Sequence, residues 1–129
     1  MVQLTFNDLP QAVASVEALG LALDRFDAAP RFELWISVPS GPSMCMLRNG
    51  DRAWLMYLRE NGDSGFVSLG DPKRNGVEHY TLSNGQVDEY PLAWCIDLEQ
   101  CYKAIAYFFV NEGARPDWLT WKGSDAPVS

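Results

Sequence analysis

Residues 97–121 constrain the fold more than any other part of the chain. Apolar residues fall at Leu98, Cys101, Tyr102, Ile105, Phe108 and Phe109, the spacing of one helix face. Asp97 is placed to cap the first turn, and Gln100 sits where a capping box wants it. Gly113 suits the left-handed position just past the helix, and Pro116 prevents its resumption. A short aromatic strand is expected at 117–121. A helix with one apolar face needs a layer to cover it, and the preceding residues supply strands.

Residues 31–38 alternate, with Phe32, Leu34, Ile36 and Val38 on one side and Arg31, Glu33, Trp35 and Ser37 on the other. That is a strand with one face on a core. Pro39-Ser40-Gly41-Pro42 is a turn, 43–47 the next strand, and Asn49-Gly50 the strongest hairpin signal in the chain. Residues 52–59 carry Trp54, Met56 and Leu58 on one face and Ala53, Leu55 and Tyr57 on the other, which predicts a central strand. A turn at 60–65, a short strand at 66–69 and a polar loop at 70–76 follow. Strands at 77–82 and 86–90 flank a turn at Ser83-Asn84-Gly85, and 92–96 reads as extended.

At the other end, 1–6 predicts a short edge strand through Val2, Leu4 and Phe6. Asn7 or Asp8 then caps a first helix with Pro10 in its opening turn. Its buried stripe would be Leu9, Val13, Val16, Leu19 or Gly20, and Leu23, and Pro30 cannot continue it. The fold class is α+β, a mostly antiparallel curved sheet with two helices packed on one face. Residues 1–129 form one domain, with 125–129 a frayed tail. The opposite face of the sheet is left available.

A net charge of −7 and a pI near 4.5 oppose binding to a nucleic-acid backbone, which needs clustered Lys and Arg. The acidity serves solubility, or it faces a basic protein partner and speeds its capture. No apolar run reaches the roughly 20 residues of a membrane span, and the N-terminus lacks a signal-peptide pattern. Cys45, Cys95 and Cys101 are an odd set in apolar company, which fits structural cysteines in a reducing cytoplasm.

The motifs of catalysis are missing. His79 is the one histidine, on a strand between Glu78 and Tyr80, and no cysteine lies near it in sequence. That offers no metal-ligand spacing and no nucleophile motif, although a Cys–His pair made by folding stays open. Asp88 and Glu89 are strand neighbours, so their carboxylates point to opposite faces. No phosphate-cradling glycine loop and no Gly-x-Ser-x-Gly elbow is present. Trp35 alternates with Glu33 and Ser37, away from the core-facing residues. It either anchors an interface or packs under a loop or the terminal strand, and Tyr57 and Tyr80 are candidates to share its face.

Three segments carry a resemblance: the ending at 107–121, containing Gly113-Ala114-Arg115-Pro116 and closing on Trp121; the lead-in at 90–100; and the middle run at 62–70. Across roughly residues 34–121 this layout resembles the first-numbered immunity protein family of bacterial polymorphic toxin systems. In that family a Phe-rich helix runs into a Gly-x-Arg-Pro-like turn and a strand ending in Trp. The resemblance implies a non-enzymatic antidote with no cofactor and no metal. Its partner would be a cognate toxin domain, bound one to one in the cytoplasm, with no role for nucleic acid or membrane. Toxins paired with the family are often deaminase-fold proteins, whose substrate groove should be basic. The Arg-Pro turn and the tryptophans would hold the fold. The partner-binding surface is expected on the sheet face and hairpin loops, at Glu33, Trp35, Tyr57, Glu60, Asp63, Asp71, Glu78 and Tyr80. The competing readings are a small enzyme using His79 with one of the cysteines, and a secretion adaptor or chaperone.

Overall fold

A computed structural model describes residues 2–123. The expected tail at 125–129 lies outside the described residues. The strands are β1 (Gln3–Phe6), β2 (Leu9–Gln11), β3 (Arg31–Ser37), β4 (Ser43–Asn49), β5 (Arg52–Leu58), β6 (Phe66–Ser68), β7 (Val77–Thr81), β8 (Val87–Pro91) and β9 (Trp121–Gly123). The helices are α1 (Val16–Asp27) and α2 (Leu98–Val110). Seven strands form one antiparallel sheet in the order β2-β1-β3-β4-β5-β6-β9, and β7 and β8 form a separate hairpin. The fold is α+β, with both helices against the same sheet face.

The alternation in β3 decides that face. Phe32, Leu34 and Ile36 are buried beneath the helices, with Met44 and Met46 from β4 and Ala53, Leu55 and Tyr57 from β5. From α1 come Leu19, Ala22, Leu23 and Phe26; from α2 come Cys101, Ala104, Ile105 and Phe108. Phe6 of β1 stacks on Phe26 with centroids 4.1 Å apart, which ties β1 to the end of α1. Arg48 draws the same corner together. Its guanidinium donates to the Asp27 and Ala29 carbonyls, the Asp27 carboxylate and the Gly50 carbonyl.

The N-terminal expectation is corrected. Asn7 and Asp8 do not cap a helix; both have positive φ, 49° and 68°, and form the two-residue turn of the β1–β2 hairpin. Asn7 also exchanges hydrogen bonds with the Glu33 backbone. Thus β1 lies inside the sheet and β2 at its edge. The helix begins eight residues later than Asp8, at Val16, where the Ser15 hydroxyl accepts from the Ala18 N–H. Leu9 and Val16 are consequently exposed.

The C-terminal helix ends at Val110, earlier than Gly113 alone suggests: Glu112 already takes a left-handed conformation at φ 50°, and Gly113, also at positive φ, donates its N–H to the Phe108 carbonyl at 2.8 Å. Its capping box is not formed. Asp97 makes no side-chain cap bond, and Gln100 instead accepts from the Trp118 indole at 3.0 Å. The lead-in expected to be extended forms a 3-10 turn at Leu92–Trp94. The closing strand, expected at 117–121, starts only at Trp121, whose indole donates to the carbonyl of the buried Pro116 at 2.7 Å. Arg115 lies over Phe66, 4.3 Å from the ring centroid, so the Arg-Pro turn is fastened to β6.

Candidate binding face

The candidate site lies on the sheet face turned away from the helices, and strand register determines who shares it. Directly paired residues of antiparallel strands project to the same side. Glu33 pairs with Leu47, and Leu47 with Trp54. Trp35 pairs with Cys45, Cys45 with Met56, and Met56 with Val67. These two rows make the face.

The face is not left open. The β7–β8 hairpin lies over part of it and buries a second core of Cys45, Leu47, Trp54, Val67 and Tyr80. The alternation in β7 points Tyr80 down onto the sheet, where its hydroxyl meets the Cys95 thiol at 3.2 Å. Tyr90 and Trp94 extend this layer. Their rings are 5.8 Å apart at 28°, and the Trp54 ring lies 4.6 Å from Tyr90 and 5.1 Å from Trp94. The buried Trp54 indole nitrogen has no hydrogen-bond partner among the described residues. Where the hairpin stops, a cleft of about 370 Å³ remains, bounded by Glu33, Trp35, Met56, Leu82, Tyr90 and Trp94 among others.

Glu33 is the joint between hairpin and sheet. One carboxylate oxygen accepts from the backbone N–H and the hydroxyl of Ser83, at 3.0 and 2.7 Å. The other accepts from the Trp35 indole at 2.9 Å, which fixes that ring along the cleft. Burial pushes the Glu33 carboxyl up, but the hydrogen bonds from Ser83 and Trp35 outweigh it and bring it below its ordinary 4.5. Glu33→Gln should therefore cost about 1–2 kcal/mol at neutral pH, since it removes acceptor capacity from three donors. A depressed carboxyl stabilises above its unfolded value and loses that contribution as pH falls through the folded value. Urea denaturation of both proteins at about pH 7 and about pH 3 should show the gap narrowing in acid.

The remaining residues expected to bind the partner divide by position. Tyr57 is corrected. It pairs with Met44 and Phe66 on the helix face, is 7% exposed, and donates to the Gly113 carbonyl at 2.6 Å. Tyr80 does lie against Trp35's side of the sheet, but beneath the hairpin at 1% exposure. Asp63 closes the turn after β5, gripped by the Arg59 side chain and backbone, and those hydrogen bonds hold its carboxyl well below the usual range. Glu60 and Asp71 are exposed on loops, and Asp71 accepts from the Lys73 N–H. Glu78 is half-buried at the hairpin base, near Arg52 at 3.9 Å and Asn49 at 3.4 Å.

Residues that sequence reasoning misses are Met56, Leu82, Tyr90 and Trp94. Their alternation is visible, but nothing in the sequence places a separate hairpin over the sheet.

The groups that catalysis would need are apart. His79 is exposed on the outer side of the hairpin, 3.6 Å from Glu89. Cys45, Cys95 and Cys101 are buried, and burial pushes the Cys45 and Cys101 thiols up, away from the reactive thiolate. Among the described residues no three His, Cys, Asp or Glu side chains gather as a metal site. None of the described helices is long and apolar enough to cross a membrane.

No curated protein matches the chain. The family described as Immunity protein Imm1 matches residues 8–123, nearly the whole described fold, including both helices, the sheet from β2 onward and the hairpin over its far face. This chain belongs to the Imm1 immunity protein family.

Proposed function

We propose that this immunity protein binds its cognate toxin one to one and covers the toxin's active site or substrate groove, and that the toxin is a deaminase acting on nucleic acid. The net charge of −7 carries the reading. A groove that accepts a polyanion must be basic, and an acidic protein both attracts it and competes with its substrate. The far sheet face suits the contact. Glu33 and Trp35 border its cleft, with Glu78 at the hairpin base, and Glu60 and Asp71 stand on exposed loops. Asp63 and Tyr80 support that surface from within the fold, whereas Tyr57 packs on the helix side. Neutralisation of this kind needs no cofactor and no catalytic residue, and takes place in the cytoplasm where the toxin meets its substrate.

The test is co-expression with the C-terminal domain of a large, toxin-like chain encoded by a directly neighbouring gene. Protection of the host and a one-to-one complex are expected, and His79→Ala should protect equally well. Absence of both protection and complex overturns the reading. Association should slow about tenfold or more between about 0.05 and about 0.5 M salt. An on-rate indifferent to salt removes electrostatic attraction from the account.

A further inference from the structure

We propose that the cleft between the sheet and the β7–β8 hairpin receives one arginine side chain of the protein partner, its guanidinium against the aromatic rings and facing the Glu33 carboxylate. The inference rests on the immunity reading and names what that binding face takes hold of.

Two features of the cleft select the occupant. Its walls are aromatic and apolar, with Trp35, Trp54, Tyr90, Trp94 and Met56 contributing. Among the described residues that line it, Glu33 carries the only charge. A purely apolar side chain would bring no counter-charge to that carboxylate. A phosphate or carboxylate would meet like charge, from Glu33 and from a protein at −7. A cation meets both the carboxylate and the negative faces of the rings.

Arginine fits better than lysine. Its guanidinium is planar, lies flat on indole and phenol rings, and sheds water more readily than an ammonium. Glu33 has three of its roughly four acceptor positions occupied by Ser83 and Trp35, so one directed N–H bond remains to be made. The same bonds hold the carboxylate and the Trp35 ring in place before a partner arrives, which spares the ordering cost of assembling them.

Titration of the unmodified protein with N-acetyl-arginine methylamide, followed by NMR of the tryptophan indole N–H resonances, tests the cleft without any toxin. A saturable shift of the Trp35 indole is expected, because its N–H is bonded to the carboxylate being approached. The citrulline analogue, isosteric and neutral, should bind about tenfold more weakly or not at all. Equal responses to the two, or none to either, overturn the proposal.

Met56→Lys carries the test to the partner by placing an ammonium inside the cleft. It should abolish the arginine response and weaken the toxin complex about thirtyfold or more, the loss expected for a buried anchor. Circular dichroism checks that the variant is folded, and the titration of the unmodified chain decides the matter if it is not. A toxin domain that binds Met56→Lys as tightly as the parent sinks the cleft and leaves the immunity reading standing. Failure of both proteins to bind the toxin sinks the immunity reading, and the arginine titration then judges the cleft alone.

Discussion

Gly70→Ala should destabilise the protein by about 3 kcal/mol or more, a large part of the 5–15 kcal/mol that holds a typical domain folded. A Cβ at this position would stand 2.0 Å from the Cys95 carbonyl oxygen, and backbone cannot swing aside as a side chain can. Gly70 also donates its N–H to the Ala93 carbonyl at 2.8 Å. The contact belongs to a short clamp: the Ser68 hydroxyl donates to the Trp94 carbonyl and accepts from the Leu55 N–H, while the Ile96 N–H donates to Ala53. Forcing the 92–96 segment outward would disturb β5, β6 and the Trp94 wall of the cleft together. Thermal melts should fall by about 10 °C or more. Gly20→Ala is the counterpart. It lies within α1 with nothing within 4 Å of its added methyl, and should raise stability by about 0.5–1 kcal/mol. The same chemical change with opposite signs separates backbone collision from glycine's helix penalty; a harmless Gly70→Ala would show that the 92–96 segment is free to move.

Phe108→Ala should cost about 3–5 kcal/mol. Phe108 has no exposed surface and meets Tyr57 edge-on, 6.2 Å between centroids at 68°. Its backbone carbonyl receives the Gly113 N–H, and the Gly113 carbonyl receives the Tyr57 hydroxyl. Truncation would leave a void where α2, β5 and the turn after α2 meet. The damage falls on the helix side of the sheet, away from the cleft. Chemical denaturation should register the full loss, while the affinity of the fraction that remains folded for the toxin should hardly change. A binding loss as large as the stability loss would place the interface on the helix side.

Much of this organisation is legible in the residues alone. The 3.6-residue period of α2, the alternation of β3, the two-sided β5 and the breaker at Gly113 each depend on neighbours in sequence, which is what periodicity measures. Sequence reasoning fails where one residue type serves two local purposes or where the answer is long-range. Asn7 and Asp8 suit a helix N-cap and a positive-φ hairpin turn equally well, and only pairing of β1 with both β2 and β3 decides between them. Tyr57 is assigned to the wrong face because alternation gives parity within a strand but not the register between strands. The loop joining β4 and β5 is Gly50-Asp51, not Asn49-Gly50, and that register sets Met56 beside Cys45 and Tyr57 beside Met44. The hairpin over the far face is unreadable for a similar reason. Its local signal is complete, yet its seat depends on Glu33 meeting Ser83, fifty residues on.

The rims of the sheet bear on abundance. A seven-stranded sheet has two outer edges that can recruit further strands, and a protective protein is useful only when it outnumbers what it restrains. Over the described residues both outer strands, β2 and β9, span three residues, and Pro10 removes one N–H from the first. Short rims of this kind are poor templates for edge-to-edge pairing, which lowers the tendency of the chain to polymerise as its concentration rises.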